Sequence, residues 1–356
     1  MLENEELEDA FDGEDSPQLY EHHNIKVEKG QAMLRIDKYL LTRIAHTTRT
    51  RIQNACDAGN VLVNGKPTKS NYKIKPFDEI SVQFSVPPRT LEVLPENIPL
   101  EITFEDDYLA IINKKPGMVV HPAYGNYTGT LVNAMLYHFK NLPSKPQKLD
   151  NDVVLDRVGL VHRIDKNTSG TIMIAKTERA MTLLSKLFYD RDIDRKYVAI
   201  VWGEMKDDSG TIVGNVGRDL KNRKIMAVFP EGSEHGKHAV THWKVIKRYG
   251  YITLIECKLE TGRTHQIRVH FKSIGHPLFN DNEYGGDKIL KGLNTTKYKQ
   301  FIQNCFEILP RQALHAKTLG FEHPITGEKM FFDSELPQDM QKMLEKWDNF
   351  IKNTGI

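Results

Sequence analysis

Four prolines, Pro87, Pro88, Pro95 and Pro99, crowd a short stretch and divide the 356-residue chain into two parts with different hydrophobic rhythms. Proline lacks the N–H that helices and central strands need, and it holds its predecessor extended, so neither element can run through. Residues 87–99 are therefore expected to form a linker with a separate core on either side, which this length permits. Before it, residues 31–86 read as a compact unit. Apolar residues recur at helical spacing over Leu34–Leu41, and a second helix is expected from Thr48 to Ala58, stopped by Gly59-Asn60. Val61 to Lys66 reads as a strand entering the Asn64-Gly65 turn, and Glu79 to Phe84 as the returning strand.

Beyond the prolines, residues 100–356 alternate short strands with helices. Strands are expected at 109–113, 171–175 and 196–202, with a long hairpin around Tyr249-Gly250-Tyr251. Helices are expected at 178–189 and near the carboxyl end, where Met340, Met343, Leu344, Trp347, Phe350 and Ile351 make one apolar stripe. This mixture predicts an α+β fold on a mainly antiparallel mixed sheet. Two inserts interrupt it. Asn141 to Asp156 reads as a polar surface loop, and Lys297 to Leu309 as a helix with Tyr298, Phe301, Ile302, Cys305 and Phe306 facing inward.

The formal charge of +2 hides an asymmetry, because residues 1–16 hold eight Asp or Glu and no Lys or Arg. The rest carries 49 Lys and Arg against 39 Asp and Glu, a net of +10, which favours a polyanionic partner. Residues 1–30 are expected to be an acidic, disordered tail. Three dispersed cysteines, no secretory leader and no apolar run long enough to cross a bilayer point to a cytoplasmic protein without a membrane partner, expected to act as a monomer.

Residues 31–86 also bear many cations, among them Arg35, Arg49, Arg51 and Lys66. Paired helices, a strand ending in Val-Asn-Gly and interleaved arginines resemble the RNA-binding fold named after the fourth small-subunit ribosomal protein. The resemblance spans roughly fifty residues and implies that Arg35, Arg49, Arg51 and Lys66 contact RNA.

In the larger part, Gly159 to Gly170, GLVHRIDKNTSG, sets one carboxylate, Asp165, among basic residues ahead of a buried strand. Taken singly, such an Asp is usually an ion-pair partner and a strand tyrosine such as Tyr197 is usually core. His238 and His242 suggest a metal, but four strand residues separate them by about 13 Å, too far for one ion, and no metal site is expected.

Joint occurrence changes that balance. HRID at 162–165, RKYVAIVWG at 195–203 and ETGRTHQIRVH at 260–270 resemble the signature of the RluA-type family of pseudouridine synthases, as do KPGMVVHP at 115–122, IGHPL at 274–278 and RQALHA at 311–316. The resemblance covers nearly all of residues 100–340 and, with the amino-terminal unit, is strongest to enzymes that act on large-subunit ribosomal RNA. It implies an isomerase that needs no cofactor. Asp165 then acts at the ribose, Arg268 pairs with it, and Tyr197 stacks on the target base. Arg163 fills the gap left by the flipped base, while Lys196, Arg263, His265 and Gln266 contact RNA. Alternation over residues 266–270, read as a strand, gives Gln266, Arg268 and His270 a common face. Two other readings stay open: a synthase directed at transfer RNA, and a non-catalytic RNA-binding assembly factor.

Overall fold

The computed structural model describes residues 20–44, 47–84, 93–122, 126–144, 146–148, 154–156, 158–222 and 225–355. The chain forms two units, one of residues 1–92 with 146–156, the other of 93–145 with 157–356.

In the first unit, β1 (Tyr20–Lys26), α1 (Ile36–Arg43), α2 (Arg49–Asp57), β2 (Val61–Val63), β3 (Lys66–Pro67) and β4 (Glu79–Phe84) follow in order. The strands make an antiparallel sheet in the order β1-β4-β2-β3. Thr48 caps α2 by accepting from the Arg51 N–H at 3.2 Å, and Gly59 at φ +75° ends it. Ile36, Tyr39, Leu40, Ile52, Cys56, Val61, Ile80 and Val82 close the core. Strand β1 lies inside the stretch read as a tail. It pairs with β4 from Tyr20↔Phe84 to Lys26↔Glu79, with a bulge between Glu21 and His23, so the first unit starts earlier than composition suggested. The acidic residues 1–16 lie outside the described residues.

The second unit holds β5 (Ile102–Glu105), β6 (Leu109–Lys114) and α3 (Leu131–His138). After the excursion of β7 (Pro146–Lys148) and β8 (Val154–Asp156) come β9 (Ser169–Ala175), α4 (Glu178–Asp190) and β10 (Asp194–Trp202). Then follow β11 (Ser209–Arg218), β12 (Met226–Phe229), β13 (Lys237–Arg248), β14 (Ile252–Leu259), α5 (Gln266–Ser273), α6 (Thr296–Ile308), β15 (Leu314–Glu322), β16 (Lys329–Asp333) and α7 (Gln338–Thr354). The stretch read as a polar loop thus contains the β7–β8 hairpin, which clusters with the first unit.

Ten strands form one sheet in the order β12-β11-β13-β14-β10-β15-β9-β6-β5, with β16 on β15. The pairing is antiparallel except where β9 and β15 run parallel. Strand β10 is apolar without a break from Tyr197 to Trp202 because both faces are covered. Tyr197, Ala199 and Val201 enter the large core that also receives α3 and α5, whereas Val198, Ile200 and Trp202 enter the core closed by α6 and α7. At the β9–β15 junction Gly170 has φ +110°, and a Cβ there would stand 2.2 Å from the Ala316 carbonyl oxygen. Only glycine lets β9 start so close to β15.

Candidate active site

Between a bridge at Leu160↔Ile174 and the start of β9, the loop that carries His162, Arg163 and Asp165 is held by its backbone. Lys114, 1% exposed at the end of β6, donates its three ammonium N–H groups to the carbonyls of Lys115, Met118 and Lys166 at 2.9, 2.9 and 3.0 Å. Burial and the nearby Arg311 charge pull this ammonium down to about 7, against the pull of Asp165. Arg311, clamped by Asp339 at 2.7 and 2.9 Å, donates to the Asn167 carbonyl at 2.9 Å. His162 Nε2 accepts from the Met173 N–H at 2.8 Å, and its ring stacks on Phe188 at 4.5 Å. Burial, with the charge of Arg195, pushes His162 down to about 3, so it stays neutral and able to accept.

These anchors leave the Asp165 carboxylate 19% exposed in a cleft of about 470 Å³, within the range of small-molecule sites. Arg268 Nη1 lies 3.2 Å from Asp165 Oδ2. The same guanidinium grips buried Asp281 through Nε at 2.7 Å and Nη2 at 2.8 Å, bonds Glu283, and lies 4.9 Å from the centre of the Tyr284 ring. Burial would lower the pKa of Arg268, but Asp281, Asp165 and Glu283 outweigh it and push it up. One cation thus serves three carboxylates. Asp281 and Glu283 carry no motif in the sequence, and only a cluster of acids at 281–283 marks them.

Residues 266–270, read above as a strand, belong to helix α5. Gln266 and His270 are one turn apart and face β13. Gln266 Nε2 donates to the Val240 carbonyl and Thr241 Oγ1, each at 3.0 Å, and His270 Nδ1 is 2.9 Å from Thr241 Oγ1. Arg268, turned about 200° from Gln266 by helix geometry, faces the Asp165 loop instead. Polar and apolar residues alternate here while every side chain from Gln266 to Phe271 is buried, so the alternation does not mark an exposed face. Gln266 Oε1 also accepts from Thr261 Oγ1 and the Arg263 N–H. Its amide is spent on holding the turn before α5 and has no capacity left for RNA.

Tyr197 lines the cleft and is 8% exposed; burial raises its pKa despite Arg195, so the phenol keeps its proton. Lys196 points to the other face of β10 and pairs with Glu256 at 3.1 Å, outside the cleft lining. Arg195, on the face of Tyr197, lines the cleft 5.6 Å from the centre of the Phe188 ring. The two-residue spacing before Tyr197 was the available signal. Arg163 is exposed at the cleft, and Arg263, also in the lining, donates through Nε to the His238 carbonyl at 3.1 Å.

His265 caps α5 in the left-handed region at φ +55°. Tyr284 Oη accepts from the Met226 N–H at 3.0 Å and lies 2.8 Å from His265 Nδ1, a placement that lets the hydroxyl donate to a neutral imidazole. In that tautomer Nε2 carries the imidazole proton, 3.9 Å from Asp165 Oδ1. Burial lowers the pKa of His265 against the pull of the carboxylates, which favours a neutral imidazole.

In the first unit, Arg35 and Arg49 are largely committed. Both bond the fully buried carboxylate of Asp37, at 3.0 and 2.9 Å, with Gln53 as a further donor at 3.0 Å. Arg51 and Lys66 are exposed.

Residues 108–273 match the model of the RNA pseudouridylate synthase family, and residues 34–80 match the S4 domain. An RNA pseudouridine synthase of Chlorobaculum parvum is 48% identical over 90% of this chain and 96% of its own length. The ribosomal large subunit pseudouridine synthase D of Zymomonas mobilis is 42% identical over 87% of this chain and 93% of its own. The solved structure of human RNA pseudouridylate synthase domain containing 4 shares the fold, with a TM-score of 0.51 at 23% identity over 69% of this chain and 92% of that one.

Proposed function

The chain belongs to the RNA pseudouridylate synthase family, and from that premise we propose that it converts uridines of large-subunit ribosomal RNA to pseudouridine with Asp165 reacting at the ribose. The reaction is an isomerisation. The bond from ribose C1′ to base N1 breaks, the base turns, C5 bonds to C1′, and the proton lost from C5 is balanced by one gained at N1. No oxidant is consumed. The step that needs help is release and recapture of the base, and a carboxylate provides it by attacking C1′ or by removing the proton at C2′.

The observation that carries the reading is Asp165 paired to Arg268 at 3.2 Å in a cleft walled by the Tyr197 ring. A fixed cation supports an ionised carboxylate, and the protonated phenol suits Tyr197 for stacking on a uracil and donating a hydrogen bond. Exposed Arg163 is suited to fill the stack that a flipped base vacates. A ribosomal substrate is supported by the large-subunit enzymes among the relatives and by the +10 charge of the chain beyond its first 16 residues. A stem-loop presents such a base at least cost, since loop nucleotides are already unpaired.

Purified protein is expected to convert uridine in a large-subunit ribosomal RNA transcript without added metal or nucleotide. Asp165→Asn is expected to abolish conversion while leaving RNA affinity in place; full activity of that variant would remove the mechanism. Modified uridines mapped in cells lacking the protein should disappear from large-subunit ribosomal RNA, and a loss confined to transfer RNA would overturn the substrate.

A further inference from the structure

Phe77 is held in a backbone conformation that suits glycine and points its ring at solvent. It occupies the third position of a turn over Lys75-Pro76-Phe77-Asp78, closed by the Asp78 N–H to the Lys75 carbonyl at 3.1 Å. Proline at the second position and φ +70° at the third make this a type II turn, whose third residue is ordinarily glycine. A bulky side chain there is strained.

The surroundings hold the strain in place. Asp78, 5% exposed, accepts from Asn64 Nδ2 at 2.9 Å, from Tyr72 Oη at 3.0 Å and from the Lys75 N–H at 2.8 Å. The Phe77 N–H bonds the Val27 carbonyl at 2.8 Å. For this constraint the ring gains no burial: Phe77 is 59% exposed and lies outside the core of its unit. Among the described residues with positive φ other than glycine, three are asparagines, which tolerate that region, and Phe77 is the one with a purely hydrocarbon side chain. Strain kept without packing marks a position where the side chain is used in solution.

The charge around it indicates for what. Lys75 on the turn, Lys73 just before it and Lys29 on the adjoining segment are exposed, while Glu79 pairs with Lys26 at 3.4 Å and Asp78 is enclosed; Glu28 is the remaining exposed acid in these two segments. An exposed ring among lysines suits one chemistry, a π-face for a nucleobase with cations for the flanking phosphates. Resting on the RNA-binding reading above, we infer that Phe77 is a stacking platform for an unpaired RNA base, a contact separate from the cleft around Asp165.

The full-length chain and a fluorescein-labelled single-stranded oligouridylate test this. Phe77→Gly removes ring and strain together, so RNA affinity is expected to fall at least about fivefold while thermal stability holds or rises. Phe77→Trp is expected to bind within about twofold of the parent and Phe77→Leu, apolar but without a π-face, to lose as much as Phe77→Gly. Affinity unchanged in both Phe77→Gly and Phe77→Leu overturns the inference. Failure of the unaltered chain to bind RNA would instead overturn the RNA-binding reading itself.

Discussion

The Tyr284 hydroxyl approaches Asp165 through His265, while its ring lies 4.9 Å from the Arg268 guanidinium, so removing the hydroxyl alone separates the two contacts. Its hydroxyl takes the Met226 N–H and lies 2.8 Å from Nδ1; when it donates there, the proton of the neutral imidazole sits on Nε2, 3.9 Å from Asp165 Oδ1. Tyr284→Phe keeps the ring under the Arg268 guanidinium but frees the tautomer. One buried hydrogen bond of about 1 to 1.5 kcal/mol predicts a rate constant for conversion roughly tenfold lower, with RNA affinity changed less than about twofold. An unchanged rate would show that the tautomer does not matter. Nothing in the string THQIR announces this arrangement, because the partner hydroxyl lies 19 residues away in a segment without a motif. Asp165, Tyr197 and Arg268 were legible because each sits in its own recognisable segment; Asp281, Glu283 and Tyr284, which hold the last of them, were not.

Elements show a similar division. Helices α2, α4, α6 and α7 and strands β4, β10, β13 and β14 fall within a few residues of where capping and periodicity put them, since each has either a capping Thr, an apolar stripe or a turn glycine. Helix α5 was misread because it is buried on every side for most of its length, so no exposed face reports the helical period. The start of β9 depends on a single residue that the sequence marks only as part of a turn. Gly170 has a backbone conformation costly for other residues, and an added methyl would collide with the Ala316 carbonyl. Gly170→Ala must separate β9 from β15 just after the Asp165 loop. The expected loss is about 3 kcal/mol or more of stability in this unit, with conversion reduced in whatever protein remains folded. Urea unfolding would measure it, and a change under about 1 kcal/mol would mean that the two strands can part at little cost.

At the scale of the whole molecule, the prolines marked where the hydrophobic text changes, but composition alone missed that β1 begins within the expected tail and that the β7–β8 hairpin clusters with the first unit; both depend on pairing partners far away in sequence. The two units also bury different titrating groups, and acid should therefore separate them. In the second unit, burial above all pushes His162 down to about 3 and His270 and His315 to about 4. Unfolded, these imidazoles take up protons near pH 6.5, so between about 6.5 and 4 the unfolded chain binds more protons and stability falls as pH falls, by about 1.4 kcal/mol per unit of separation for each group. In the first unit, burial would raise the carboxyl of Asp37, but hydrogen bonds from Arg35, Arg49 and Gln53 prevail and bring it to about 2. That contribution is intact above about pH 3.8 and is lost only as pH falls toward 2. Acidification is thus predicted to weaken the second unit first. All three tryptophans, Trp202, Trp243 and Trp347, belong to it, so their fluorescence reports it alone while far-ultraviolet circular dichroism reports both units. The urea midpoint read by tryptophan should drop between pH 7 and pH 5, with a second transition in the dichroism holding its midpoint. A tryptophan midpoint independent of pH over that interval would mean that the three imidazoles take up protons in the folded protein as readily as in the unfolded chain, and burial would not then be what separates the two units.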